Sequence, residues 1–147
     1  MGSFTETPIY VPEIYELFDG ITMNGNSEQK EEVLASYEGE GTGLKASITF
    51  NAQEMKPYLR YLLLKELFKF LCYSENEVAS SFSKLPSEVI EIYSNIFAGA
   101  ILVPENILKN EVNRIDSSID LVAQLADSFW VSKSLINQRL RDMLENT

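Results

Sequence analysis

Apolar and polar positions change period several times along the chain, and each change marks an element. Residues 1–10, MGSFTETPIY, carry no periodic pattern and are expected to form a flexible lead. From Val11 onward, Val11, Ile14, Tyr15, Leu17 and Phe18 recur at helical spacing, and Gly20 is a natural stop. Asn24-Gly25-Asn26-Ser27 reads as a loop. Val33, Ala35 and Tyr37 then alternate with Leu34, Ser36 and Glu38. After the glycine-rich stretch Gly39–Gly43, Leu44, Ala46, Ile48 and Phe50 alternate again. Two period-2 runs around such a turn predict a β-hairpin. The second run is the more regular; the first would also suit the end of a helix.

Beyond Asn51 the period becomes helical. PYLRYLLLKELFKFLCY, residues 57–73, is apolar on most faces, with Arg60, Lys65, Glu66 and Lys69 as the exceptions, so it predicts a central, buried helix. The polar stretch 74–83 interrupts it. Pro86 suits the first turn of a helix running through Glu91 and Phe97, and Pro104 opens a shorter one, PENILKNEV. Asp116 or Ser117 is the expected cap of a helix through Ala126, and Ser132 that of a last helix through Leu144. The pattern predicts an α+β fold: one mostly helical domain over 11–147 with a small antiparallel sheet, ending in a helix-turn-helix-like segment at 117–145. In that segment Ile119, Val122, Ala123 and Leu125 form one apolar face, Phe129 and Val131 fill the turn, and Leu135, Ile136 and Leu140 form the next face.

Composition narrows the chemistry. None of the 147 residues is histidine, the usual acid–base group near neutral pH and the commonest metal ligand. Cys72 is the only cysteine. His-dependent triads, His-ligated zinc and Cys-rich zinc sites are therefore excluded, and an internal disulfide is impossible, as suits a reducing, cytoplasmic setting. Acidic residues outnumber basic ones by 22 to 12, a formal charge of −10, which disfavours nucleic acid and anionic membranes as partners. The N-terminus lacks a signal-peptide pattern, and no apolar run is long enough to span a membrane.

Lys65-Glu66-Leu67-Phe68-Lys69 has the frame of the H-E-x-x-H motif, in which two histidines one helical turn apart grip zinc and the intervening glutamate activates the bound water. Lysine stands at both histidine positions. Taken alone, such a string is an ordinary helix face, but its surroundings resemble the ImmA/IrrE family of zinc metallopeptidases, which often cut repressors of phages and mobile elements. The family's strand ending in I-x-N and its R-F-T-L-A-H-E-L-G-H helix are similar to Ile48-Thr49-Phe50-Asn51 and to Arg60-Tyr61-Leu62-Leu63-Leu64-Lys65-Glu66-Leu67-Phe68-Lys69. Its E-x-x-A-N-x-F-A-A-x-L-L-M-P block, whose glutamate is the third zinc ligand, is similar to the run from Glu91 to Pro104. Its closing L-A-x-x-F-x-V-S-x-x-A-V-x-x-R-L is similar to the run from Leu125 to Leu140. The blocks occur in order over roughly residues 44–144. The resemblance implies a zincin-like core.

The departures decide the functional expectation. Glu66 and Glu91 remain, but an ammonium has no lone pair for a metal and adds positive charge where one would sit. The implied protein is a pseudo-peptidase, with Lys65, Glu66, Lys69 and Glu91 as a vestigial site, no catalytic residue, no metal and no cofactor. A Lys65 or Lys69 ion pair with Glu91 is expected to balance the charge in an otherwise apolar helix. The implied role is that of a protein-binding regulator, antirepressor-like, whose partner is a transcriptional repressor of a phage or mobile element. Two alternatives stay open. One is a DNA-binding regulator reading through the last helix, with Lys133, Asn137, Arg139 and Arg141 as interaction residues, although Trp130 replaces the usual turn glycine. The other is a zinc-independent hydrolase using Glu66 and Glu91. Cys72 is expected to be an inert buried thiol, and the acidic residues Glu28, Glu31, Glu32, Glu38 and Glu40 a solvated face.

Overall fold

The structure, a computed structural model, describes residues 8–53, 56–76, 79–115 and 120–145. The chain divides into two compact units, Tyr10–Ala98 and Gly99–Thr147, the second including the N-terminal Met1–Ile9. Helices dominate and the strands form one small sheet, so the class is α+β. Most of the expected lead lies outside the described residues. Among the described residues, no helix is long and apolar enough to cross a membrane.

The first unit is built around one helix. Strands β1 (Ile21–Gly25), β2 (Val33–Glu38) and β3 (Lys45–Phe50) form a sheet of order β1-β3-β2. β2 and β3 are the expected antiparallel hairpin, with Ala35 opposite Ile48 and Tyr37 opposite Ala46. The sheet is nevertheless mixed, because β1 runs parallel to β3, with Ile21 opposite Ala46. β1 falls where a loop was expected at Asn24 and Gly25: both are poor strand formers, and only pairing with β3 holds them extended. Ile21, Ala46 and Ile48 share one buried face, whereas Thr22, Asn24, Ser36 and Lys45 stand exposed on the other. Helix α1 is a single short segment, Val11–Tyr15, stopping before Leu17 and Phe18. Its Tyr15 hydroxyl donates to the Leu63 carbonyl at 2.5 Å.

Helix α2 (Pro57–Tyr73) starts with proline in its first turn, where no backbone N–H is needed. Leu59, Leu63, Leu64, Leu67, Phe68, Phe70, Leu71 and Cys72 are all buried, and so is Arg60. Burial pushes the Arg60 guanidinium down to about 10 and the Cys72 thiol up to about 11. Only one stripe of the helix stays partly open, and it contains Tyr58, Tyr61, Lys65, Glu66, Lys69 and Tyr73. The helix ends in a Schellman motif: Glu75 N–H bonds the Cys72 carbonyl at 3.3 Å and Asn76 N–H bonds the Leu71 carbonyl at 3.2 Å. Glu75 occupies the left-handed position, φ +57°, where glycine is the usual residue. Helix α3 (Ser87–Leu102) begins in this unit.

In the second unit, helices α4 (Glu105–Arg114), α5 (Leu121–Phe129) and α6 (Lys133–Glu145) follow the end of α3. Leu102, Val103, Leu108, Leu125, Phe129 and Ile136 are fully buried. The caps expected at Asp116 or Ser117, and the apolar Ile119, lie outside the described residues. The α5 cap is Asp120, whose carboxylate accepts from Ala123 N–H at 3.1 Å. Ser132 caps α6 as expected, accepting from Leu135 N–H at 3.2 Å. α6 lies close to Gly99: a Cβ there would meet Leu135 Cδ1 at 3.2 Å. Trp130 makes the turn between α5 and α6 in a left-handed conformation, φ +52°, in place of glycine.

A left-handed non-glycine residue costs about 1 kcal/mol. Glu75→Gly should therefore raise unfolding stability by up to about 1 kcal/mol, partly offset by the greater freedom of glycine in the unfolded chain. Urea unfolding monitored by circular dichroism checks this; a destabilised variant would contradict it.

Candidate functional site

The half-open stripe of α2 meets the start of α3 and the inward face of β2. Lys65 and Lys69, one helical turn apart, project on the same side. Both reach Glu91 in the second turn of α3. Lys65 Nζ bonds Glu91 Oε1, and Lys69 Nζ lies 2.6 Å from Glu91 Oε2. One carboxylate thus bridges two ammonium groups. Lys69 also lies 3.9 Å from Glu66 Oε1. Both lysine side chains are mostly buried, at 14% and 23% exposure, whereas that of Glu91 keeps 43%.

Tyr37 completes the cluster from β2. Its hydroxyl donates to Glu66 Oε2 at 3.4 Å, and its ring meets Tyr73 edge-on at 6.1 Å between centroids. Lys65 Nζ lies 5.8 Å from the centroid of the Tyr61 ring, which stacks on Tyr58. Sequence reasoning about chemistry passed over Tyr37. The available signal was the β2 alternation, which puts Tyr37 on the face that covers α2.

The electrostatics follow from these contacts. Hydrogen bonds from Lys65 and then Lys69 hold the Glu91 carboxyl below the ordinary glutamate value, with burial opposing. Burial works against the Lys69 ammonium, but its bond to Glu91 and the charges of Glu66 and Glu91 outweigh it, so its pKa is raised. Burial, then the Glu66 charge, push the Tyr37 phenol well above its usual range. Two ammonium groups and two carboxylates balance, so the cluster has no net charge to offer an ion.

A metal does not fit these residues as they stand. The two side chains best placed to flank one carry no lone pair, and both Glu91 oxygens are already hydrogen-bonded. Among the described residues, no group of three or more His, Cys, Asp or Glu side chains could hold a metal ion.

The profile of the Peptidase_M78 family, described as the IrrE N-terminal-like domain, matches residues 22–141. The chain belongs to this family. The match runs from the second residue of β1 into α6, so the IrrE-like domain spans nearly every element described above. No curated protein matches the chain. Lys65, Glu66, Lys69 and Glu91, the four positions singled out by the sequence resemblance, all lie within the matched residues.

The interaction residues expected on α6 divide. Lys133, Asn137 and Arg141 are exposed on one side of the helix. Arg139 is not with them: its Nε donates to the Val103 carbonyl at 3.0 Å and its Nη1 lies 3.1 Å from Asp142 Oδ2. It is a packing residue, because position 139 faces the same side as Leu135, toward the end of α3.

Because the Glu91 pKa is lowered on folding, its ionisation stabilises the fold above the ordinary value of 4.5 and that contribution disappears as pH falls through the folded value. Its partial exposure screens the pair and limits the effect to about 1 kcal/mol. Glu91→Gln should therefore be less stable than the parent by about that much at pH 7, and the gap should close in acid. Urea unfolding of both proteins across pH 3–7 reads the gap; a pH-independent difference would contradict the assignment.

Proposed function

We propose that this chain is a catalytically inactive member of the IrrE-like family that acts by binding another protein. The observation that carries the reading is the double ion pair of Lys65 and Lys69 on Glu91. In the family the corresponding side chains would share one metal; here they hold each other. A scaffold kept without its metal ligands is suited to occupying a surface. The resemblance makes a transcriptional repressor of a phage or mobile element the expected partner, with this chain as its antirepressor-like regulator. A charge of −10 favours a basic surface, such as the DNA-binding face of a repressor.

Two measurements test the two halves of this reading. Dialysed against zinc, the purified protein should retain far less than one zinc per chain. Lys65→His/Lys69→His should retain about one, because two imidazoles would then join Glu91 in a three-ligand set. Stoichiometric zinc in the parent protein would overturn the inactive reading. For the binding role, the tagged chain expressed in its native host should co-purify with a transcription regulator; recovery of unrelated enzymes alone would count against it.

A second reading, direct DNA binding, draws on the exposed row Lys133, Asn137 and Arg141 on α6. A gel shift at two salt concentrations separates it from the first: phosphate contacts would weaken steeply with salt, whereas a protein-binding regulator gives no shift at either. A hydrolase relying on Glu66 and Glu91 is the weakest fit, because a base or nucleophile at Glu91 would first have to leave two ammonium groups.

A further inference from the structure

Within the unit 10–98, away from the ion cluster, the end of α2 and the chain around Gly20 line an open surface pocket of about 380 Å³. Its walls combine two chemistries. Phe18 supplies part-exposed aromatic surface, Leu44 and Phe70 line it as buried core side chains, and Asp19 and Glu75 supply two exposed carboxylates. Among the described residues, no lysine or arginine lines it. Leu44 and Phe70 are buried parts of the core, so that side of the pocket is fixed. Neither Asp19 nor Glu75 has an ion-pair partner among the described residues.

The Glu75 carboxylate is placed by the backbone. The Schellman turn ends α2 and leaves Glu75 in the left-handed conformation. Its Oε2 then lies against the 41–43 turn, 3.5 Å from where a Cβ on Gly41 would stand. Asp19 sits on the segment between α1 and β1, beside Gly20, which packs against the Phe70 ring: a Cβ on Gly20 would meet Phe70 Cζ at 3.2 Å.

Two carboxylates beside aromatic surface, without a resident cation, select a positive group that is flat, weakly hydrated and rich in donors. Guanidinium meets all three requirements: it accepts stacking on an aromatic face and donates to carboxylates in pairs, whereas an ammonium is a strongly hydrated point charge. We propose that this pocket receives the guanidinium of an arginine presented by a protein partner. The preference for guanidinium stands on the pocket alone; that the arginine belongs to a protein rests on the binding role proposed above.

The test is a titration of the full ¹⁵N-labelled chain, at physiological salt, with N-acetyl-arginine amide, its neutral isostere N-acetyl-citrulline amide, N-acetyl-lysine amide and agmatine. The arginine amide should shift the amide signals of Asp19, Gly20, Thr42 and Glu75, and should bind about tenfold more tightly than the citrulline amide. The lysine amide should be weaker than the arginine amide. Asp19→Asn/Glu75→Gln changes two exposed side chains, so it should keep the parent spectrum elsewhere and lose the response. Equal responses to arginine and citrulline, equal responses to arginine and lysine, or an undiminished response in the double variant would each overturn the guanidinium site. Tighter binding of agmatine than of the blocked arginine would overturn the protein source in favour of a small free amine. Partner capture can fail while the arginine titration succeeds, or the reverse, so the two proposals fail separately.

Discussion

The burial of α2 is the constraint on which the rest of its unit depends. A helix of seventeen residues with only one stripe near solvent has to be surrounded by α1, the sheet and a following turn, and each of those elements takes its place by covering part of it. Burying a leucine or phenylalanine fully is worth about 1.5–3 kcal/mol, so the eight apolar residues buried on α2 outweigh anything its polar side chains contribute. The register of the helix is thereby set by its apolar faces. Lys65, Glu66 and Lys69 lie on the remaining stripe because no other face is left to them.

That placement creates an electrostatic problem with a local solution. Two ammonium groups one turn apart, each mostly buried, repel one another and lose hydration. Glu91 approaches from α3 and bonds both, while Tyr37 covers Glu66 from the sheet. Partly exposed pairs of this kind contribute little net stability. Their consequence is positional: they join the start of α3 to α2 and consume the carboxylate that a metal would need. The same frame that carries metal chemistry in the IrrE-like family is thus compatible with a chain that contains no histidine.

Much of this was legible in the chain itself. The helical period of 57–73, the alternation of 44–50, the proline openings near 86 and 104 and the cap at Ser132 all have local causes. A local signal survives whatever packs around it. The ion cluster was legible for the same reason, since i, i+4 spacing on a helix brings Lys65 and Lys69 together in any fold, and the order of the motif-like blocks pointed to Glu91 as their partner. What was misread depended on partners distant in sequence. β1 is a strand only because β3 pairs with it in parallel, so the sheet is mixed rather than antiparallel. The bond from Arg139 to a carbonyl 36 residues away is likewise set by packing.

The sequence by itself determined that the chain has no histidine, that α2 is the core helix, and that Lys65 and Lys69 share one helix face. These are matters of composition and short-range spacing. The tertiary structure alone decided that one glutamate serves both lysines, that the Tyr37 hydroxyl bonds Glu66, and that Asp19 and Glu75 line one pocket. Motif order pointed to Glu91 and alternation to the face that bears Tyr37, but which side-chain atoms meet is not set by separation along the chain. Those contacts exist because burying α2 draws the surrounding segments together, and which polar groups then face one another depends on the packing of every apolar face at once.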